Sequence, residues 1–195
     1  MQGTTRILLA GVGGQGAILT AKVLVNGLLR AGFDVKTSEV HGMSQRGGSV
    51  STQVHWGKRV YSPVMGPGAA DGMLAFEKME AVRYAEYLKP GGVAVINDYE
   101  LPSSTVAAGL CRYPEGCLSA MQAHFACRSL NAGAIAERLG SVRCANLVLF
   151  GAAVQALCLP EVDWEAVICE TAPESFRALN LQAYRAGRAA VQEAI

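Results

Sequence analysis

The stretch that decides the fold is R-I-L-L-A-G-V-G-G-Q-G-A-I-L-T, residues 6–20. Residues 6–10 form a short apolar run, which is typical of a buried parallel strand. Gly11, Gly13 and Gly16 follow in the G-x-G-x-x-G spacing, and apolar residues then recur with helical spacing as far as Gly32. A strand, a glycine turn and a helix in this order predict a Rossmann-like α/β fold.

The rest of the chain alternates between strand-like and helix-like segments. The apolar patterns predict strands at residues 33–38, 49–56, 71–76, 92–97 and 124–127, and helices at 77–88, 131–139 and 145–157. Thr171-Ala172-Pro173-Glu174 has the pattern of a capping box that begins a last helix. The alternation predicts a doubly wound, mostly parallel sheet with flanking helices, in a single domain covering residues 1–195.

Composition narrows the class of protein. With 195 residues and a net charge of +1, the chain has the size of one domain and no electrostatic basis for binding nucleic acid or an anionic membrane. Apolar residues make up 51% and charged residues 17%, which indicates that a partner covers part of the surface. The six cysteines are scattered singly, so we expect reduced thiols, no metal site and a cytoplasmic location.

The glycine turn has the local context that nucleotide binding requires. Gly11 allows a tight turn, Gly13 allows a phosphate to approach the backbone, and Gly16 allows close packing of helix on strand. Glu39, at the end of the next strand, is placed where an acid could bind a ribose hydroxyl. The alternative is that the glycines only shape the corner between strand and helix and bind nothing.

A second polar loop follows directly, with the sequence E-V-H-G-M-S-Q-R-G-G-S-V at residues 39–50. Gly47 and Gly48 can present adjacent N–H groups, and the guanidinium of Arg46 suits a phosphate or a carboxylate. Arg46 could instead only tie the loop to Glu39. His41 is a weak candidate for a proton relay because imidazole titrates near neutral pH. Among other polar residues, Glu77 is explained by charge compensation at a helix N-terminus.

These two loops resemble those of the gamma-type domain of the 2-oxoacid:ferredoxin oxidoreductases, in particular the indolepyruvate branch. Further matching segments are Tyr61-Ser62-Pro63, Ala75-Phe76-Glu77 and L-K-P-G-G at residues 88–92. Residues 146–151 and a tail with Asn180, Ala183 and Gly187 complete the resemblance. It covers nearly the whole chain in order, so the single domain is expected to be the gamma-type catalytic domain for pyruvate or ketoisovalerate.

The resemblance implies an oxidoreductase subunit that acts on an aryl 2-oxoacid. The expected reaction is oxidative decarboxylation of indolepyruvate to its acyl-coenzyme A, with the electrons passed to ferredoxin. We expect no cofactor on this chain alone. Thiamine diphosphate, magnesium and 4Fe–4S clusters are expected on a larger partner subunit, with coenzyme A as co-substrate. A chain of this kind is inactive without that partner.

Together the two loops form the candidate cofactor-binding site, which consists of Gly11, Gly13, Gly14, Gln15, Gly16, Glu39, Gln45, Arg46, Gly47 and Gly48. Any ligand of the glycine turn would be part of coenzyme A, because the overall reaction needs no nicotinamide. Two other functions stay open: a stand-alone NAD(P)- or flavin-dependent oxidoreductase, and a non-catalytic binding module.

Overall fold

The structure, a computed structural model, describes residues 3–41 and 47–192. Six strands form one sheet in the order β2-β3-β1-β4-β5-β6. The strands are β1 (Thr5–Val12), β2 (Asp34–His41), β3 (Ser49–Gly57), β4 (Ala70–Ala75), β5 (Leu88–Asn97) and β6 (Ala126–Leu130). The helices are α1 (Ala17–Arg30), α2 (Lys78–Arg83), α3 (Ser104–Ala107), α4 (Cys117–His124), α5 (Ala132–Arg138), α6 (Ala145–Ala156), α7 (Trp164–Thr171) and α8 (Arg177–Gln192).

The predicted fold class is confirmed, since β1, β4, β5 and β6 pair in parallel. One strand departs from a simple β-α-β unit. β3 lies between β1 and β2 and is antiparallel to both. β2 ends at His41, and the pairing of Ser49 with Val12 places the start of β3 beside the glycine turn. The two loops singled out from the sequence therefore share one edge of the sheet.

Alternation of apolar residues along the central strands builds a core on each face of the sheet. Leu9, Leu74 and Val95 pack against α1, α5, α6, α7 and α8 on one face. Leu8, Met73 and Ala94 pack against α2 and α4 on the other face. Because side chains alternate along a strand, neighbouring residues serve opposite cores.

The crossing of α6 and α8 is unusually close. A Cβ added to Gly151 would lie 2.0 Å from the carbonyl oxygen of Tyr184, and one added to Gly187 would lie 1.9 Å from that of Val148. Backbone therefore contacts backbone at this crossing. Only glycine allows such an approach at these two positions.

Several predicted elements differ in place or kind. The expected bounds of the strand at residues 124–127 are wrong, since His124 ends α4 and β6 runs from Ala126 to Leu130. The interpretation of Thr171 as a cap is also wrong: Thr171 ends α7, and a 3-10 turn at Glu174–Phe176 precedes α8. Helix α7 was not predicted; its N-cap Asp163 accepts a hydrogen bond from the N–H of Ala166 at 3.0 Å.

No helix within the described ranges is both long and apolar enough to cross a membrane.

Candidate functional site

The glycine turn joins β1 to α1 at the carboxyl edge of the sheet. Gly14 and Gly16 have φ values of 107° and 84°, which L side chains rarely adopt. A Cβ on Gly11 would lie 2.9 Å from Cβ of Phe76, at the end of neighbouring β4. These glycines are thus required by the backbone conformation and by close packing, whether or not a ligand binds.

Gln15 braces the turn from inside. Its Oε1 accepts a hydrogen bond from the N–H of Val12 at 2.7 Å, and its Nε2 donates to the carbonyl oxygen of Phe76 at 3.2 Å. Asn97, at the end of β5, donates to the same carbonyl oxygen at 3.1 Å and accepts from the N–H of Ala132 at 2.9 Å. One chain of hydrogen bonds therefore links the carboxyl ends of β1, β4 and β5 to the start of α5.

The structure brings the two sequence-predicted loops into direct contact. The N–H of Gly13 donates to the carbonyl oxygen of Gly48 at 2.9 Å, and the N–H of Gly47 donates to that of Gly13 at 3.2 Å. Because the N–H of Gly13 already donates to the carbonyl oxygen of Gly48, a ligand at the turn must be bound by other groups.

The remaining predicted residues of the second loop are described in part. Glu39 lies in β2, where its backbone pairs with Thr52. His41 ends β2 and pairs with Val50, but its side chain lies outside the described part of the structure. Gln45 and Arg46 also lie outside the described residues.

A pocket of about 610 Å³ opens at the glycine turn. Its lining includes Gly14, Gly16, Phe76, Asn97, Arg143 and Asn146. α1 and α6 both begin at this pocket without a capping side chain and without an acidic residue in the first turn. Helix N-termini carry a partial positive charge, and the guanidinium of Arg143 adds a full positive charge. The pocket therefore suits an anionic group.

Asn146, in the first turn of α6, is a polar residue on the pocket wall that is only 4% exposed. Its Nδ2 lies 3.5 Å from the carbonyl oxygen of Gly16, whereas its Oδ1 has no hydrogen-bond partner among the described residues. Burying an acceptor without a donor costs free energy. A ligand N–H or O–H in this pocket would therefore gain a favourable hydrogen bond to this oxygen.

Asn97, Arg143 and Asn146 were missed as site residues from the sequence. Asn97 carried a usable signal, because it is a polar residue at the carboxyl end of a strand. Arg143 carried no comparable signal, and Asn146 stood out only as the first residue of the matching segment 146–151, since only the tertiary structure brings α6 to the glycine turn.

The buried acid Glu77 has a structural role at the start of α2. It caps the helix by accepting from the N–H of Glu80 at 2.9 Å, and it also accepts from the N–H of Leu101 at 3.3 Å and from the hydroxyl of Tyr113. Burial and the neighbouring Glu77 carboxylate raise the pKa of Tyr113. This capping agrees with the sequence interpretation of Glu77.

The cysteines are dispersed free thiols. Burial raises the pKa values of Cys117, Cys127 and Cys144, so these three are poor thiolates at neutral pH. Among the described residues, no three His, Cys, Asp or Glu side chains are grouped so that they could hold a metal ion.

Comparison with known proteins identifies the family. The model for the pyruvate ferredoxin/flavodoxin oxidoreductase family matches residues 6–190. The indolepyruvate oxidoreductase subunit IorB of Thermococcus kodakarensis is 37% identical over 193 residues, which cover 96% of this chain and 96% of that protein.

Solved structures share the fold. The gamma subunit of a keto/oxoacid ferredoxin oxidoreductase from Geobacter sulfurreducens superposes with a TM-score of 0.72 at 22% identity, covering 97% of this chain and 99% of that one. A 2-oxoglutarate:ferredoxin oxidoreductase from Magnetococcus marinus, solved with 2-oxoglutarate, coenzyme A and succinyl-CoA bound, gives a TM-score of 0.73 at 22% identity. The match covers 99% of this chain and 32% of that longer chain. The chain described here belongs to the pyruvate ferredoxin/flavodoxin oxidoreductase family, as an oxidoreductase subunit.

Proposed function

We propose that this chain is the smaller subunit of an arylpyruvate:ferredoxin oxidoreductase, with indolepyruvate as its preferred 2-oxoacid. The observation that carries this proposal is the 37% identity to an indolepyruvate oxidoreductase subunit along 96% of both chains. The reaction releases carbon dioxide, transfers the acyl group to the sulfur of coenzyme A and passes the electrons to ferredoxin. It takes place in the cytoplasm.

In this proposal the chemistry is divided between two subunits. A larger partner holds thiamine diphosphate with its magnesium ion and the 4Fe–4S clusters, and it delivers electrons to ferredoxin. The dispersed cysteines of this chain support that division, because an iron–sulfur cluster needs grouped thiolates. The role of this chain is to bind coenzyme A at the carboxyl edge of its sheet and to complete the active site.

The proposed coenzyme A site combines the glycine turn with the second loop. The N-termini of α1 and α6, together with Arg143, favour a phosphate group in the 610 Å³ pocket. The unpartnered Oδ1 of Asn146 is suited to an N–H or O–H of the same ligand. In this proposal Gln45, Arg46, Gly47 and Gly48 also contact the ligand, while Gly11 and Gly13 shape the turn. The coenzyme A bound to the Magnetococcus marinus enzyme supports this choice of ligand.

The test is to purify this chain with the large subunit that accompanies it and to measure ferredoxin reduction. We expect activity that depends on both an arylpyruvate and coenzyme A, with a higher kcat/KM for indolepyruvate than for pyruvate or 2-oxoglutarate. The chain alone should contain no iron and oxidise no 2-oxoacid. Turnover by the isolated chain, or equal activity of the complex without it, would contradict the proposal.

The same preparation distinguishes the two other functions. A nicotinamide or flavin nucleotide bound stoichiometrically to the isolated chain would favour a stand-alone oxidoreductase. A complex that contains neither iron nor nucleotide would favour a non-catalytic binding module.

A further inference from the structure

We propose that Ser49 and Glu80 position the second loop, by holding its carboxyl-terminal arm, residues 47–49, against the glycine turn. This inference rests on the proposed function, because it assigns the pair to the binding of coenzyme A. Neither residue touches the ligand in this proposal. They act through Gly47 and Gly48.

Glu80 holds Ser49, the last residue of this arm, from the side of α2. Its side chain is only 2% exposed, and it accepts hydrogen bonds from the hydroxyl of Ser49 and from Nε of Arg83, the latter at 3.1 Å. The hydroxyl of Tyr84 lies 3.2 Å from that of Ser49. Ser49 is the first residue of β3, so this cluster fixes the point at which the loop enters the sheet.

The glycine turn holds Gly47 and Gly48 from the opposite side. The two residues before Ser49 are held by both backbone groups of Gly13, since its N–H binds the carbonyl oxygen of Gly48 and its carbonyl oxygen binds the N–H of Gly47. The register of β3 on β1 pairs Ser49 with Val12. Three consecutive residues are therefore held between β1 and α2, and movement of Ser49 would disturb the contact of Gly47 and Gly48 with the turn.

The position of Glu80 favours this role over a purely structural one. Glu77 already caps α2, so the helix start does not need a second acid. Ala81, the next residue, is buried in the core, which an apolar residue at position 80 could extend. Burying a carboxylate is costly unless it is paired and hydrogen-bonded. Here the buried carboxylate binds the residue that ends the loop.

The first experiment measures amide exchange by NMR on the full chain. Ser49→Ala removes the hydroxyl, and we expect the N–H of Gly47 to exchange roughly tenfold faster or more, because a hydrogen bond to a charged group is lost. Ser49→Thr keeps a hydroxyl and should restore slow exchange. Ser51→Ala is the matched control, since it removes a hydroxyl from the same strand one pleat further from the loop.

A double-mutant cycle tests whether the two residues act together. If Ser49 and Glu80 act together, Ser49→Ala combined with Glu80→Gln should speed exchange at Gly47 no more than Ser49→Ala alone. Glu86→Gln changes an exposed acid in the 3-10 turn Ala85–Tyr87 that follows α2, and it should leave the exchange rate unchanged. Additive effects of Ser49→Ala and Glu80→Gln, or an equal effect of Glu86→Gln, would overturn the inference.

The second experiment uses the assembled enzyme. Ser49→Ala should raise the KM for coenzyme A several-fold while leaving kcat at saturating coenzyme A and the KM for the 2-oxoacid unchanged, and Ser49→Thr should restore the KM. A wild-type complex that does not use coenzyme A would refute the proposed function. An active wild-type complex whose KM for coenzyme A is unaffected by Ser49→Ala would refute the inference alone.

Discussion

Gln15 donates a hydrogen bond from Nε2 to the carbonyl oxygen of Phe76 at 3.2 Å, which joins the turn after β1 to the residue that follows β4. Its Oε1 accepts the N–H of Val12 at 2.7 Å, so one side chain satisfies backbone groups on two neighbouring strands. A residue in the variable part of the G-x-G-x-x-G pattern thus ties the glycine turn to the rest of the sheet edge.

Gln15→Ala should destabilise the chain by about 1–3 kcal/mol, because the buried N–H of Val12 loses its acceptor. The free energy of unfolding in urea measures this. Gln122→Ala, on an exposed position of α4, is the control and should change stability by no more than about 0.5 kcal/mol. Equal stability of the two variants would mean that Gln15 does not brace the turn.

Gly187→Ala should destabilise the chain by about 3 kcal/mol or more. The new Cβ would lie 1.9 Å from the carbonyl oxygen of Val148, and helix backbones cannot separate without opening the core between α6 and α8. Gly133→Ala, also within a helix, is the control, since its Cβ meets only Oδ1 of Asn131 at 3.4 Å. The expected effect of Gly133→Ala is near zero or stabilising. Thermal unfolding of both variants tests this, and similar melting temperatures would contradict the close crossing.

His55 should make stability depend on pH. The residue is buried, and its Nδ1 lies 2.8 Å from the carbonyl oxygen of Ser62, so Nδ1 carries the proton of the neutral ring. Nε2 has no partner among the described residues, and burial lowers the pKa of His55. The unfolded chain therefore binds a proton more readily than the folded chain.

The stabilisation by neutral His55 is present above the unfolded pKa of about 6.5 and is lost as the pH falls from there through the lower folded pKa. Urea unfolding at about pH 7.5 and about pH 5.5 should show lower stability at the acid value. In His55→Gln the loss between the two pH values should be smaller. An unchanged pH dependence in that variant would show that His55 is not the group responsible.

Arg46→Ala should raise the KM for coenzyme A roughly ten- to a hundredfold in the assembled complex, because a charge-assisted contact is lost. Arg46→Lys keeps the charge but loses the planar fork, so most of the loss should persist. The measurement is a titration of the intact mutant complex with coenzyme A. The control is Arg185→Ala, which removes an exposed cation of α8 that pairs with Glu165 of α7.

Two other outcomes would change the role of Arg46. If the Arg46→Ala complex dissociates on a sizing column, the guanidinium contacts the partner subunit rather than coenzyme A. If both the kinetics and the assembly are those of the wild type, Arg46 only tethers its own loop.

The sequence by itself determined the fold class and the edge of the sheet at which the candidate site is proposed. The apolar run at residues 6–10, the glycine spacing and the helix to Arg30 are local patterns, and local patterns specify elements and corners. The glycines at 14 and 16 could be expected because positive φ is a property of the backbone at that turn. The polar carboxyl end of β2, residues 39–41, could be expected at the same edge as the turn, because the carboxyl ends of parallel strands share one edge of a sheet.

Only the tertiary structure decided which groups meet there. The insertion of β3 between β1 and β2 depends on strand pairing over long separations in sequence, and it is this pairing that brings Gly48 to Gly13. Asn146 reaches Gly16 because Gly16 has no Cβ, which would lie 2.9 Å from Nδ2 of Asn146, and the packing that brings α6 to this point is not revealed by any local pattern. The short helices α4 and α7 were mistaken or missed because tertiary packing, rather than local propensity, stabilises helices of eight residues.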